Sequence, residues 1–128
     1  MTEPLGRAQD YVTATHGNRA RQALLDLRSC IALGEGLTAQ GRTALDENIY
    51  LRLSAEAIVQ RVGEAVARLP AALIQAHPEI EFTIAKAMRN RVAHRYQSVD
   101  YAILWEALDV DLPLMSAQVA PLLARRSK

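Results

Sequence analysis

The chain has little that would hold it together apart from a hydrophobic core. Its 128 residues include one cysteine, Cys30. A lone cysteine closes no internal disulfide and builds no thiolate zinc site. The acids are scattered, and no two-acid or acid–histidine spacing reads as a metal site, so no metal and no cofactor are expected. Glycine and proline number only 6 and 5, and valine plus isoleucine only 15, which argues against strands. Residues 1–10 have no apolar centre, so no signal peptide is expected. The longest uncharged run near the C-terminus, 112–124, contains Pro113 and Pro121 and is too short to span a bilayer. The expectation is a soluble, cytoplasmic protein with no membrane role. An excess of one charge is also missing. Fifteen Lys and Arg against 14 Asp and Glu leave a net charge of +1. Any nucleic-acid contact must therefore come from a local patch.

What the sequence does have is alanine and leucine, 22 and 17 residues. Both are strong helix formers. With 50% of residues hydrophobic, the chain is too apolar to stay disordered. Its length fits one domain, 1–128, able to bury a core unaided.

Four helical stretches stand out. In the first, Arg19 to Leu33, Ala20, Ala23, Leu24, Leu27 and Ile31 fall three or four apart, and Gly34 and Gly36 are expected to stop it. Before it, residues 1–17 read as a short separate helix or an arm, interrupted at His16-Gly17-Asn18. The second, Thr43 to Leu69, carries a stripe of Leu45, Ile49, Leu53, Ala57, Val62, Val66 and Leu69 and closes at Pro70. The third follows His77-Pro78, with Pro78 in its first turn, and runs into His94. The fourth starts after Ser98 as N-cap and breaks at Leu112-Pro113. A last helical piece then leads to the basic tail, 125–128. The pattern predicts an all-α antiparallel bundle of four to five helices.

The segment Lys86 to Tyr96 reads KAMRNRVAHRY. Lys86, Arg89, Arg91 and Arg95 surround one histidine, His94, with no acid among them. Such a patch suits phosphate: arginine forks grip its oxygens, and histidine titrates near neutral pH. On an unbroken helix Arg89 and His94, five apart, point roughly 140° away from each other, whereas Asn90 and His94 share a face. Either the helix ends between Arg89 and His94, or each meets a counterpart across a dimer interface. Glu64 is a candidate to pair with a motif arginine. His16, His77 and Cys30 read as structural or packing residues, and Trp105 as core.

Arg89, His94 and Tyr96 form the pattern Arg-x-x-x-x-His-x-Tyr. Around it stand Val62-Gly63-Glu64-Ala65, Arg68-Leu69-Pro70, His77-Pro78-Glu79-Ile80, and the Trp105 stretch ending in Leu112-Pro113. In this order, over about Tyr50 to Met115, the chain resembles the HEPN superfamily, and within it the HepT-type ribonuclease toxins of HepT–MNT toxin–antitoxin pairs. The resemblance implies a helical homodimer whose two motifs face one cleft. It also implies metal-independent cleavage of RNA by attack of the 2′-hydroxyl on the adjacent phosphate. Carried onto this chain, His94 is the general acid or base, and Arg89 stabilises charge on the phosphorane. Asn90 orients a catalytic group or binds phosphate, and Tyr96 lines the cleft. Lys86, Arg91 and Arg95 are candidate RNA contacts, with Glu64 in a supporting place. The resemblance further implies an MNT-type nucleotidyltransferase antitoxin that attaches AMP to Tyr96. Two other readings stay open at this point. One is a non-catalytic HEPN protein that serves a nucleotidyltransferase as scaffold or substrate-binding subunit. The other is a helical dimerisation module with no RNA role.

Overall fold

The computed structural model describes residues 10–94 and 99–127, with side chains described for all of these except 91–94. Helices dominate, and no strand occurs among the described residues. In chain order they are α1 (Tyr11–His16), α2 (Asn18–Thr38), α3 (Arg42–Glu47), α4 (Ile49–Ala67), α5 (Ala71–Ala76), α6 (Phe82–His94) and α7 (Tyr101–Ala124). The all-α expectation holds. The count of four to five helices does not, because short helices sit between the long ones.

Each departure has a local cause. Helix α2 does not stop at Gly34 or Gly36 but runs on to Thr38. Gly34 is buried, and a β-carbon on it would lie 3.0 Å from Leu108 Cδ2 and 3.5 Å from Ile58 Cγ2. Its role is close helix packing, and the turn glycine is Gly41, with φ of 96°.

The stretch 43–69 divides at Asn48, which is extended and caps α4 by accepting from Tyr50 N–H at 2.9 Å. Arg52 covers the end of α3, with Nη1 donating to the Leu45 and Asp46 carbonyls. The buried face of α4 is Ala55, Ile58, Val59, Val62, Ala65 and Val66. Ile49, Leu53 and Ala57, expected inside, fall off that face at the five-residue step from Ala57 to Val62 and are exposed.

Helix α6 begins at Phe82 rather than Pro78, after a turn in which Ile80 N–H donates to His77 O. Asp100, not Ser98, caps α7, accepting from the Ala102 and Ile103 N–H groups; Ser98 lies outside the described residues. Nor does Leu112-Pro113 break α7. The turn Ala107–Asp111 widens to a π-helix, with Leu112 N–H reaching back to Ala107 O. Proline has no N–H and collides with the carbonyl four residues back in a regular helix; the wide turn takes it without ending the helix.

The core joins the inner faces of α2, α4 and α7. Leu24, Leu27, Ile31, Val59, Val62, Leu104, Leu108 and Val119 are almost wholly buried there, and Phe82 anchors the start of α6 in the same cluster. By length and composition alone, the 24-residue α7 is long and apolar enough to cross a membrane. In the fold, Leu104, Leu108, Leu112, Met115, Val119 and Leu122 are buried in the common core.

The first and last of the described residues meet beside the turn that precedes α6. Asp10 and Arg126 form an isolated β-bridge, and the Arg125 guanidinium lies 4.0 Å from the centre of the Tyr11 ring. His77 is buried. Its Nδ1 faces Glu79 Oε2 at 3.3 Å, and its Nε2 lies 3.0 Å from the Tyr11 hydroxyl. A proton on Nδ1 therefore goes to Glu79 and leaves Nε2 to accept from Tyr11. His16 Nε2 approaches the same hydroxyl at 3.5 Å.

Burial, and then the proximity of His77, hold the His16 pKa below the usual histidine value of 6.5. On acidification the unfolded chain thus takes up the proton first. This contribution to stability is complete above about pH 6.5 and declines as the pH falls below that value. Urea unfolding at steps from pH 7.5 to 5.5 is expected to give a steeper loss for the wild type than for His16→Gln. Parallel curves would remove His16 from the response. Asp10 acts in a separate, more acid window. Burial opposes its ionisation, but the Thr13 N–H and the Arg21 guanidinium outweigh that and lower its pKa. Its contribution is present above the ordinary aspartate range and is lost as the pH falls through the lowered value.

Candidate functional site

The motif is carried by α6, which packs lengthwise on α4. Ala85 and Phe82 point into the core and Met88 packs against it. That leaves Lys86 and Asn90, four apart, on the exposed side, with Arg89 half-buried at its edge. At the crossing stands Gly63 of α4. A β-carbon built there would lie 2.4, 2.9 and 2.8 Å from Arg89 Cβ, Cγ and Cδ. The whole aliphatic stem of Arg89 is laid across the glycine. Beyond it, Nη2 and Nε donate to Asn90 Oδ1 at 2.9 and 3.3 Å. No ion pair involves Lys86 or Arg89 among the described residues. A guanidinium so held keeps N–H groups for an anion.

Helix α6 is unbroken from Arg89 to His94. The first of the two geometries open from the sequence, a helix ending between them, is therefore removed. Arg91 and His94 have their backbone on this helix, while Arg95 and Tyr96 lie outside the described residues.

A second pin lies further along α4. The Tyr101 hydroxyl donates to Glu56 Oε2, and the Arg52 guanidinium lies 5.9 Å from the ring centre. Burial, with the Glu56 carboxylate at the hydroxyl, pushes the Tyr101 phenol above its ordinary range, so it keeps its proton and remains a donor. Glu56 and Gly63 are seven apart, on one face of α4 and roughly 10 Å from each other along its axis. The motif-bearing stretch thus starts at Gly63 and is tied again at Glu56. Glu56 and Tyr101 did not stand out in the sequence. A contact between residues 45 apart leaves no local pattern, and the only hint was the heptad spacing of Glu56 and Gly63.

Glu64 does not join this arrangement. One position from Gly63, it turns to a groove between α2 and α4 that it lines with Asp26, Ser29, Cys30, Arg61 and Arg68. Arg68 there pairs with Asp26 at 3.1 Å, and burial pushes the Cys30 thiol up. That thiol is poorly suited to nucleophilic chemistry. No group of three or more potential metal ligands occurs among the described residues.

Residues 21–122 match the family described as ribonuclease HepT-like. The chain belongs to this family, within the HEPN superfamily. Among curated relatives of this HepT-like chain, a protein of Caldanaerobacter subterraneus subsp. tengcongensis named "Putative RNase" is 31% identical over 64 residues, 50% of this chain and 57% of that one. One from Methanocaldococcus jannaschii with the same designation is 35% identical over 52 residues, 41% of this chain and 45% of its own. A "Probable ribonuclease HepT" of Thermococcus cleftensis is 32% identical over 57 residues, 44% and 52% of the two chains. The chain thus spans about half the length of the curated relatives it matches. No solved structure gives a significant match.

Proposed function

We propose that this HepT-like chain is a metal-independent endoribonuclease that works as a homodimer. The observation that carries this reading is the delivery of Arg89. Its stem is seated on Gly63 and its guanidinium is steadied by Asn90, with no acidic partner among the described residues, on the helix that runs on to His94. A scissile phosphate bound there gains most where charge builds on its non-bridging oxygens. The 2′-hydroxyl of the RNA attacks the adjacent phosphorus and the bond to the 5′-oxygen breaks. A 2′,3′-cyclic phosphate and a 5′-hydroxyl result. One proton leaves the attacking hydroxyl and one reaches the departing oxygen. Two copies of His94, one from each protomer, serve as base and acid. Lys86, Arg91 and Arg95 contact flanking phosphates.

Two observations support the dimer. Arg89 and His94 sit on one unbroken helix at positions that diverge, so a cleft shared with a second copy brings the motifs together. Ile49, Tyr50 and Leu53 of α4 are also 48%, 77% and 54% exposed, a larger apolar stripe than a solvated helix face needs.

The biological setting that fits is a cytoplasmic toxin held in check by an MNT-type nucleotidyltransferase, which attaches AMP to Tyr96. AMP there would add negative charge and bulk where RNA phosphate binds. Intact-mass measurement after incubation with the cognate partner and ATP is expected to show the mass of one AMP on the wild type and none on Tyr96→Phe. The same gain on the variant would place the modification elsewhere.

The ribonuclease reading is tested by incubating freshly purified protein with total cellular RNA in excess EDTA and mapping the product ends. Cyclic-phosphate 3′ ends are the expected result. Intact RNA would turn the site into a binding surface and move the weight to a non-catalytic partner of a nucleotidyltransferase.

A further inference from the structure

We propose that Gly63 is a positioning residue for Arg89, and that its missing side chain sets where the guanidinium meets the phosphate. This rests on the ribonuclease reading and adds to it a residue outside the motif helix. Helix crossings often use a small residue to bring two backbones together, and Gly34 does this against Leu108, with one close contact at 3.0 Å. Gly63 differs in kind. The three atoms nearest to its absent β-carbon all belong to one side chain, and they are consecutive along the stem of Arg89, from 2.4 to 2.9 Å away. The glycine therefore fixes a direction as well as a distance. With the stem flat on α4, the guanidinium emerges beside Asn90 Oδ1, which takes hydrogen bonds from both Nη2 and Nε. A methyl group at position 63 overlaps Cβ of Arg89 itself, so no change of rotamer relieves it. Helix α6 must move outward by about 1 Å, and a displacement of that size at a reacting centre costs about 100-fold in rate.

The test compares wild type, Gly63→Ala, Gly34→Ala and Arg89→Lys on an RNA carrying a single cleavable phosphate. Gly63→Ala is expected to lower kcat about 100-fold with KM changed less than about threefold. Stereodefined phosphorothioate substitution at the scissile phosphate supplies a readout that a loss of folded protein does not move. In the wild type, one diastereomer is expected to be slowed where sulfur replaces the oxygen that Arg89 contacts. In Gly63→Ala that discrimination shrinks towards its value in Arg89→Lys, and in Gly34→Ala it stays at the wild-type value. Wild-type discrimination in Gly63→Ala would overturn the proposal, even alongside a lower melting temperature.

A measurement on the wild type keeps the proposal testable where the variant does not fold or where no RNA is cut. The Arg89 Nε–H resonance, assigned by its loss in Arg89→Lys, is expected to have an order parameter above about 0.6, the border of flexible behaviour. A freely moving Nε in the folded wild type would show that the stem is not held and would end the positioning role. Absence of RNA cleavage by the wild type, with a rigid Arg89, would end the ribonuclease reading and leave the seating of Arg89 on Gly63 in place.

Discussion

His94→Ala is expected to lower RNA cleavage by about 10³-fold or more while leaving the dimer intact. A positioned acid or base supplies about 10² to 10⁴ in rate, and in a two-fold cleft one substitution removes both copies. Arg89→Ala is expected to cost about 10² to 10³, the usual loss when one donor to a developing oxyanion is removed. The pH profile separates the roles. The wild type should show the bell of an acid and a base working together. Arg89→Ala should keep that bell at reduced height, because the groups that transfer the protons are untouched. His94→Ala should lose both limbs, because both copies of the histidine are removed. Cleavage by His94→Ala at the wild-type rate would remove this residue from the mechanism, and the proton transfers would have to be sought in other groups.

Leu53→Asp is expected to turn the dimer into a monomer and to take cleavage with it. Leu53 lies midway along the exposed stripe between Ile49 and Ala57, one turn from each. In the proposed dimer, α4 packs on its own copy about a two-fold axis, which would bring the two Leu53 side chains close to each other. Aspartate then buries two like charges, each at a penalty of several kcal/mol. A weakening of association by about 10³-fold or more follows from only ~4 kcal/mol of that. Sedimentation at micromolar concentration would read the mass, and cleavage would be followed in parallel. A Leu53→Asp protein that remains dimeric would place the interface on another face. A monomer that cleaves at full rate would show that one protomer holds a complete site.

The sequence was most informative where the chemistry is local. The run from Lys86 to Arg95 stands out because acids are missing from it, and the helix that carries it follows from the spacing of Ile84 and Met88. What could not be read locally were choices made by contacts far away along the chain. Gly34 has the look of a helix stop because glycine is a poor helix former, but Leu108 and Ile58, on other helices, need the space. Ile49 and Leu53 look like a continuation of the stripe of Val62 and Val66, but the step of five from Ala57 to Val62 places Leu53, nine residues from Val62, on the opposite side of α4. Glu64, a carboxylate on the long helix, reads from the sequence as a candidate partner for a motif arginine. One residue is about 100° on a helix, however, and Gly63, not Glu64, faces α6. In the motif itself, the residue types were legible, whereas the glycine seat beneath Arg89 needed the packing of two helices.

The π-turn at Ala107–Asp111 also bears on which changes of length this part of the chain can absorb. A wide turn holds one residue more than a regular one, so the two halves of α7 are out of phase with a single straight helix. Leu104 and Leu108 before it, and Met115, Val119 and Leu122 after it, nonetheless reach the same core. A chain one residue shorter here would be free to close into a regular helix without turning its C-terminal half, because the residue lost is the one that the wide turn holds in excess. Met115, Val119 and Leu122 would stay in the core together. Deletion of one residue in this stretch is thus absorbed by the turn, whereas a deletion elsewhere in α7 would rotate everything beyond it by about 100°.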